Sequence, residues 1–371
     1  LIDVTLVAGK GDLERFIRLG PELQRGDPAY VAPLLMERRQ ALSPKHNPLF
    51  AQAEIAFFLA RRDGRVVGRI SAQADRRTGE TGHFGLLAAE DDREVFAALF
   101  RAAENWLRER GRTRILGPFD LSINEEIGVL VDGFETPPML LMPHNPPSLP
   151  ARIEAEGYTK AKDVFAYLFD NSTRPAWARR VEKRPLPPGV TLRPLDWKRY
   201  EADLAAVVDI FNDAWSGNWN FLPLEGADLD AMAKSMKPLI VPDFVQIAEV
   251  NGEPAAFGIC LPNLNEAIRD LSGSLVPLGW AKLLWRLKVK GVSTARIPLM
   301  GVRRSVAKGA TGAFLPMIIM SRLGNEAAKK GIRHIEMSWI LEDNAPMRHF
   351  GQTMAGDPYK TYRIYEKALR A

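Results

Sequence analysis

The sequence predicts a mixed α/β fold written twice in one chain, and three observations carry that prediction. Residues 57–71 (FFLARRDGRVVGRIS) and 244–260 (FVQIAEVNGEPAAFGIC) each read as strand, two-residue turn, strand. Each half then carries a long helical stretch that ends at a glycine and runs into a strand. Further on, an asparagine and a glycine recur at one interval, 145 to 157 and 344 to 356.

The hairpins come first. Asp63-Gly64 and Asn251-Gly252 supply the positive φ angles that a two-residue hairpin turn needs. The helices are expected over about 92–110, stopping at Gly111, and about 313–330, stopping at Gly331. Basic residues in the last turn and a glycine beyond it suit a helix C-terminus. Strands are expected at 114–119 and 334–340. After Asn145-Pro146-Pro147 and Asn344-Ala345-Pro346, further strands are expected at 164–169 and 362–369. Residues 171–189 are rich in proline, arginine and lysine and read as a linker. The organisation is therefore an N-terminal domain over 1–170, a linker over 171–189 and a C-terminal domain over 190–371, each a mixed sheet with helices crossing between strands.

Composition fits. The 371 residues exceed what one ordinary core fills, and 46% hydrophobic against 26% charged residues is a globular balance. Cys260 is the single cysteine, so no disulfide forms within the chain and a reducing, cytoplasmic setting is expected. It sits in the apolar run 257–261 and reads as a buried structural thiol. The first thirty residues mix charges of both signs, unlike a secretory signal. The longest apolar stretch, 313–320, is too short to span a bilayer and contains Pro316. A net charge of +5 and a pI near 9.2 are mild for this length. With no zinc-type spacing, Walker loop or RNA-binding signature, neither a metal nor a nucleic-acid partner is expected.

One loop stands out. The strand 296–302 is followed by Arg303-Arg304-Ser305-Val306-Ala307-Lys308-Gly309-Ala310-Thr311-Gly312 and then a helix. A basic, glycine-containing loop at a helix N-terminus can cradle a phosphate. The equivalent place in the first half is acidic, Glu90-Asp91-Asp92, and would repel one.

This loop, the helix after it, Gly331, Asn344 and a final Arg363-x-Tyr365 strand together resemble the GNAT acyltransferase superfamily, present as tandem copies. That family's pyrophosphate loop, Arg/Gln-x-x-Gly-x-Gly/Ala, falls on 307–312. Gly312 keeps the last glycine, Ala307 replaces the first Arg/Gln, and Ala310 replaces the middle glycine. The resemblance implies acyl-CoA as cosubstrate, held by Val302, Arg303, Lys308, Gly309, Ala310, Thr311, Gly312 and Asn344. It implies cofactor binding in the C-terminal copy, with the N-terminal copy as scaffold or substrate wall. The family's tyrosine acid falls on Gly351, so His349 is the expected substitute. Among Glu266, Glu336 and Glu342, Glu266 is the preferred base. Residues 212–221 lie where the family binds its acceptor, which nominates Asn212, Trp215, Asn218, Trp219 and Phe221, with Asn265 from the 263–267 turn. The other reading of 212–221 is an aromatic plug between helices.

The stretch from Trp280 to Lys290 mixes two tryptophans, leucines and four basic residues and is expected to touch a membrane surface peripherally. Its competitor is a helix edge with snorkelling lysines. The 211–221 loop, the 263–267 turn and the 342–344 and 359–365 segments resemble a proteobacterial GNAT-like group associated with bacterial ceramide synthesis. That resemblance implies N-acylation of a sphingoid-base-like lipid amine by a long-chain acyl-CoA. Two alternatives stay open: an aminoacyl transferase acting on cell-wall precursors, and a non-catalytic acyl-CoA-binding or structural module.

Overall fold

The computed structural model describes residues 1–173, 176–226, 231, 233 and 237–369. The first half runs β1 (Ile2–Leu6), α1 (Gly9–Leu23), α2 (Leu35–Ala41), β2 (Ala53–Arg62), β3 (Arg65–Asp75), β4 (Thr81–Ala89), α3 (Arg93–Arg108), β5 (Arg114–Gly117), β6 (Val129–Asp132), α4 (Leu149–Ala155) and β7 (Thr159–Asp170). After α5 (Ala176–Lys183) come β8 (Val190–Pro194), α6 (Tyr200–Trp215), β9 (Val245–Val250), β10 (Glu253–Pro262), α7 (Leu264–Ile268) and α8 (Gly279–Trp285). The chain closes with β11 (Thr294–Val302), α9 (Arg304–Ala307), α10 (Ala310–Lys329), β12 (His334–Leu341), α11 (Ala345–Ala355) and β13 (Lys360–Ala368).

Both hairpins form as expected, and their turn residues take the required left-handed conformation: Asp63 and Gly64 at φ 50° and 79°, Asn251 and Gly252 at φ 53° and 85°. Residues 171–189 do more than link. They carry α5, whose Ala178 and Val181 are buried, while Trp177 stacks edge-on against Phe350.

Among the described residues the strands form one continuous sheet, ordered β1-β2-β3-β4-β5-β13-β7-β12-β11-β10-β9-β8, with β6 also pairing β13. The two halves exchange their last strands. β13, from the C-terminal half, lies against β5 of the N-terminal half, and β7 lies against β12. β13 and β7 then pair antiparallel with each other, so the seam has no free edge. Arg363 locks the exchange by ion-pairing with Asp163 at 2.9 Å across that ladder, and the Tyr365 hydroxyl donates to Glu154.

Each half buries its long helix on one face of the sheet. Val95, Leu99 and Leu107 of α3 pack on Val67, Ile70 and Phe84. Leu315, Ile319 and Leu323 of α10 pack on Ala248, Ala256 and Cys260. Cys260 is fully buried, and burial pushes its thiol well above the usual range. On the other face a third cluster spans the seam, joining Phe119, Ile123 and Ile127 to Leu222, Tyr362 and Ile364.

Candidate active site

β11 and β12 are parallel and in register from Thr294↔His334 to Ile297↔Met337, and then they part. Two sequence features explain the parting. Pro298 has no N–H to continue the ladder. The register of β12 against β7 also shifts between Met337 and Ile340. The opening holds a cavity of about 200 Å³ lined by Trp215, Asn218, Pro298, Met300, Trp339 and Asn344, among others. Trp215 is fixed by a hydrogen bond from its Nε1 to the Met300 carbonyl (3.2 Å) and an edge-on contact with Trp339. Asn344 caps α11 by accepting from the Met347 N–H. Val302 also lines the opening.

Beyond Val302 the chain makes the single turn α9, passes Lys308 and Gly309, and starts α10. No side chain among the described residues caps that helix, so its first N–H groups are open to an anion. Gly312 is required here: a Cβ would sit 2.2 Å from the Val306 carbonyl oxygen. Lys308, Gly309 and Ala310 are exposed and Thr311 half-exposed. Arg303 differs from expectation, because its guanidinium is committed to Asp209 and to the Pro254 carbonyl. In the first half, the Asp92 side chain caps α3 and pairs with Arg62. There the strands do not part either. Phe119 N–H donates to the Phe84 carbonyl, and Leu86 N–H donates to Asp120.

Several nominated residues stand elsewhere. Glu266 accepts from the backbone N–H and hydroxyl of both Ser293 and Thr294, at 2.7–3.0 Å. That carboxylate clamps α7 to the start of β11, at the closed end of the strand pair and outside the lining of the cavity. His349 is exposed on α11, and its side chain has no partner among the described residues; the cavity is reached by Met347, two positions away. Asn212 holds the following loop by bonding both the N–H and the carbonyl of Leu224. Asn265 donates to the carbonyls of Pro138 and Met139, tying the halves together. Trp219 lies under the Lys162 ammonium and Phe221 packs on Phe211, so of this aromatic stretch Trp215 and Asn218 reach the cavity.

Glu336, a candidate base passed over for Glu266, and Arg296, which the sequence did not single out, face each other where the two strands are still paired. Glu336 is fully buried and accepts from the hydroxyls of Ser338 and Tyr359, with the Arg296 guanidinium 3.7 Å away. Arg296 also donates to the Ser338 hydroxyl and carbonyl and to the Leu140 carbonyl of the other half. Burial pushes the Tyr359 phenol far up and the Arg296 guanidinium down. A basic and an acidic residue facing each other mid-strand was the available signal.

Parting strands beside an uncapped helix in the C-terminal half, with a similar order of strands and helices in the N-terminal half, fit the GNAT fold class. Among solved structures, a tandem GNAT protein from the clavulanic acid biosynthesis pathway matches at a TM-score of 0.59 with 15% identity, covering 100% of this chain and 99% of that one. A GCN5-related N-acetyltransferase from Sphaerobacter thermophilus matches at 0.55 with 14% identity, covering 100% and 96%. No family model matches the chain. A curated protein of Caulobacter vibrioides (strain NA1000 / CB15N), named bacterial ceramide synthase, is 51% identical over 375 residues, covering 99% of this chain and 98% of that protein. Protein YghO of Escherichia coli (strain K12) is 42% identical over 368 residues, covering 97% and 94%. The chain belongs to the bacterial ceramide synthase family and is an acyltransferase of tandem GNAT fold.

Proposed function

We propose that the chain transfers a long-chain acyl group from acyl-CoA to the amino group of a long-chain, sphingoid-base-like amine. The observation that carries this reading is the cavity between β11 and β12, whose lining includes Val302 at the end of β11, from which the chain passes to the uncapped N-terminus of α10. The relation to a protein named bacterial ceramide synthase supports the substrate class.

The pyrophosphate would lie at Lys308–Gly312, where open N–H groups and the helix dipole favour an anion. Lys308 adds positive charge. The β11 edge from Pro298 onward, left unpaired by β12, would receive the pantetheine amides. Ser338 lines the cavity while its hydroxyl is held between Arg296 and Glu336. That fixes the floor on which the thioester rests, and a pre-set polar floor is worth more than one that must reorganise. Mass spectrometry of the protein with palmitoyl-CoA and sphinganine tests the reading through the amide product.

The acceptor would be delivered from a membrane surface. Trp280, Leu284, Trp285 and Val289 are exposed on α8 and the π-helical turn Arg286–Lys290, and Val276 and Leu278 extend the patch. Leu283 and Leu287 pack inward instead. Lys282 and Arg286 pair with Asp270, while Lys288 and Lys290 project free of such pairs among the described residues. An apolar patch with tryptophans and free lysines suits an anionic lipid surface. No helix among the described residues is long and apolar enough to cross a membrane.

A further inference from the structure

The turn after β5 brings three carboxylates to the seam between the halves. Residues 119–127 fold back on themselves through an Asp120 N–H to Glu126 carbonyl bond and a Phe119–Ile127 bridge. Leu121 anchors one side of the turn in the α1–α2 core, and Ile123 and Ile127 anchor the other in the seam cluster. The tip meets the loop after α6 in the other half, where Asn124 Nδ2 reaches the Leu222 carbonyl at 3.5 Å.

Asp120 accepts from Leu86 N–H. The carboxylates of Glu125 and Glu126, though part-buried, have no hydrogen-bond donor and no ion-pair partner among the described residues. The nearby arginines are committed elsewhere: Arg38 of α2 to Glu37, and Arg69 of β3 to the Phe16 and Ile17 carbonyls. An independent observation comes from β13. Tyr362 is fully buried, and its hydroxyl has no hydrogen-bond partner among the described residues. It packs in the same seam cluster as Ile123 and Ile127, which flank Glu125 and Glu126 in the turn. A buried phenol left unsatisfied is uncommon and costs free energy unless something arrives to meet it.

We propose that Glu125, Glu126 and the Tyr362 hydroxyl seat the ammonium head of the acceptor amine, so that the N-terminal half supplies acceptor binding and deprotonation to a transfer carried out in the C-terminal half. This rests on the acyl-transfer reading above. The chemistry matches by count: an ammonium has three N–H donors, and two carboxylates and a phenol oxygen offer three acceptors. A metal ion fits less well, because the described residues hold no group of three or more His, Cys, Asp or Glu side chains arranged for one. Ile123 and Leu222 supply apolar wall beside the head group. In the step, Glu126 takes one proton from the ammonium. The freed amine attacks the thioester carbon, the C–N bond forms, the C–S bond breaks, and the CoA thiolate leaves. The amine's second proton ends on that thiolate, giving amide and free CoA.

Burial pushes both Glu125 and Glu126 up to about 7. The charges acting on them are Arg38 and Glu37 of α2 and Asp120 of their own turn, and Glu126 also acts on Tyr362 and Arg296. A carboxylate near 7 can take a proton and give it up again at neutral pH.

Calorimetry with decylamine, and with decanol as the uncharged probe, tests the seat on the full chain. Glu126→Gln and Glu125→Gln should each weaken decylamine binding tenfold or more, leaving decanol and palmitoyl-CoA affinity unchanged. Wild-type affinity for decylamine should rise from pH 6 to pH 8, and the double variant should lose that rise. Tyr362→Phe, which removes a hydroxyl with no bond in the free protein, should weaken decylamine several-fold without lowering Tm. Unchanged decylamine affinity in the Glu variants, or an equal loss for decanol, overturns the seat. If the wild type binds decylamine in this Glu-dependent way but forms no amide, the seat stands and the acyl-transfer reading fails. Amide formation by Glu126→Gln at the wild-type rate overturns the seat and leaves that reading intact.

Discussion

The ring of Tyr167 lies against Gly351. A Cβ on Gly351 would meet its Cδ2, Cγ and Cε2 at 2.7–2.9 Å. The sequence resemblance puts the family's tyrosine acid at Gly351, and Tyr167 comes from β7, the strand exchanged in from the other half. A larger side chain at 351 would run into the ring on that exchanged strand. Gly351→Ala should cost about 1–3 kcal/mol, as overpacking does, despite the better helix propensity of alanine. Denaturant unfolding checks this, and the pair Gly351→Ala/Tyr167→Leu should lose less than the sum of the single variants.

The anion site is tested at Lys308 and Gly312. Lys308→Glu should weaken palmitoyl-CoA binding several-fold at low salt, an effect on the order of 1 kcal/mol, with the difference shrinking as salt rises. Gly312→Glu should abolish binding, because its side chain would enter the tight turn against Val306. Calorimetry reads both, and unchanged affinity in both removes the site.

Glu266→Gln should leave turnover within a few-fold of wild type and lower stability by about 1 kcal/mol, since its partners are Ser293 and Thr294. His349→Ala should change neither turnover nor stability, because the side chain is exposed. A hundredfold fall in turnover for either variant, with acyl-CoA binding intact, would restore the catalytic roles first expected of them.

Liposome flotation tests the surface patch. The wild type should float with anionic vesicles at low salt and release as salt rises. Trp280→Ser/Trp285→Ser should stay unbound while keeping its Tm, because both tryptophans are more than half exposed. Equal flotation of both proteins would make the segment an ordinary surface helix.

Much of the fold was legible because its signals are local. Asp63-Gly64 and Asn251-Gly252 specify hairpins by backbone conformation alone. The basic loop before α10 announces itself by glycine and charge. The strand exchange was not legible, since β7 and β13 carry the same pattern whichever neighbour they take. The partners of some nominated residues were hidden for the same reason, although Trp215, Asn218, Val302 and Asn344 do line the cavity. Glu266 looked free in sequence, but Ser293 and Thr294, brought beside it by the fold, use it up. Asn265 looked like a pocket amide and instead ties the two halves together. Glu336 and Arg296 gain their meaning from facing each other across β11 and β12, and the Glu125–Glu126 turn from packing, through Ile123 and Ile127, in a cluster with Tyr362 from the far end of the chain.

The central claim is acyl transfer to an amine in the parting of β11 and β12. Its most direct measurement is mass spectrometry of the full chain incubated with palmitoyl-CoA and sphinganine, with free CoA quantified in parallel. The account predicts amide and free CoA in equal amounts, and neither from Met300→Trp, which fills the cavity, provided that variant keeps the wild-type Tm. Free fatty acid in place of amide, or amide formed undiminished by the filled cavity, would contradict it.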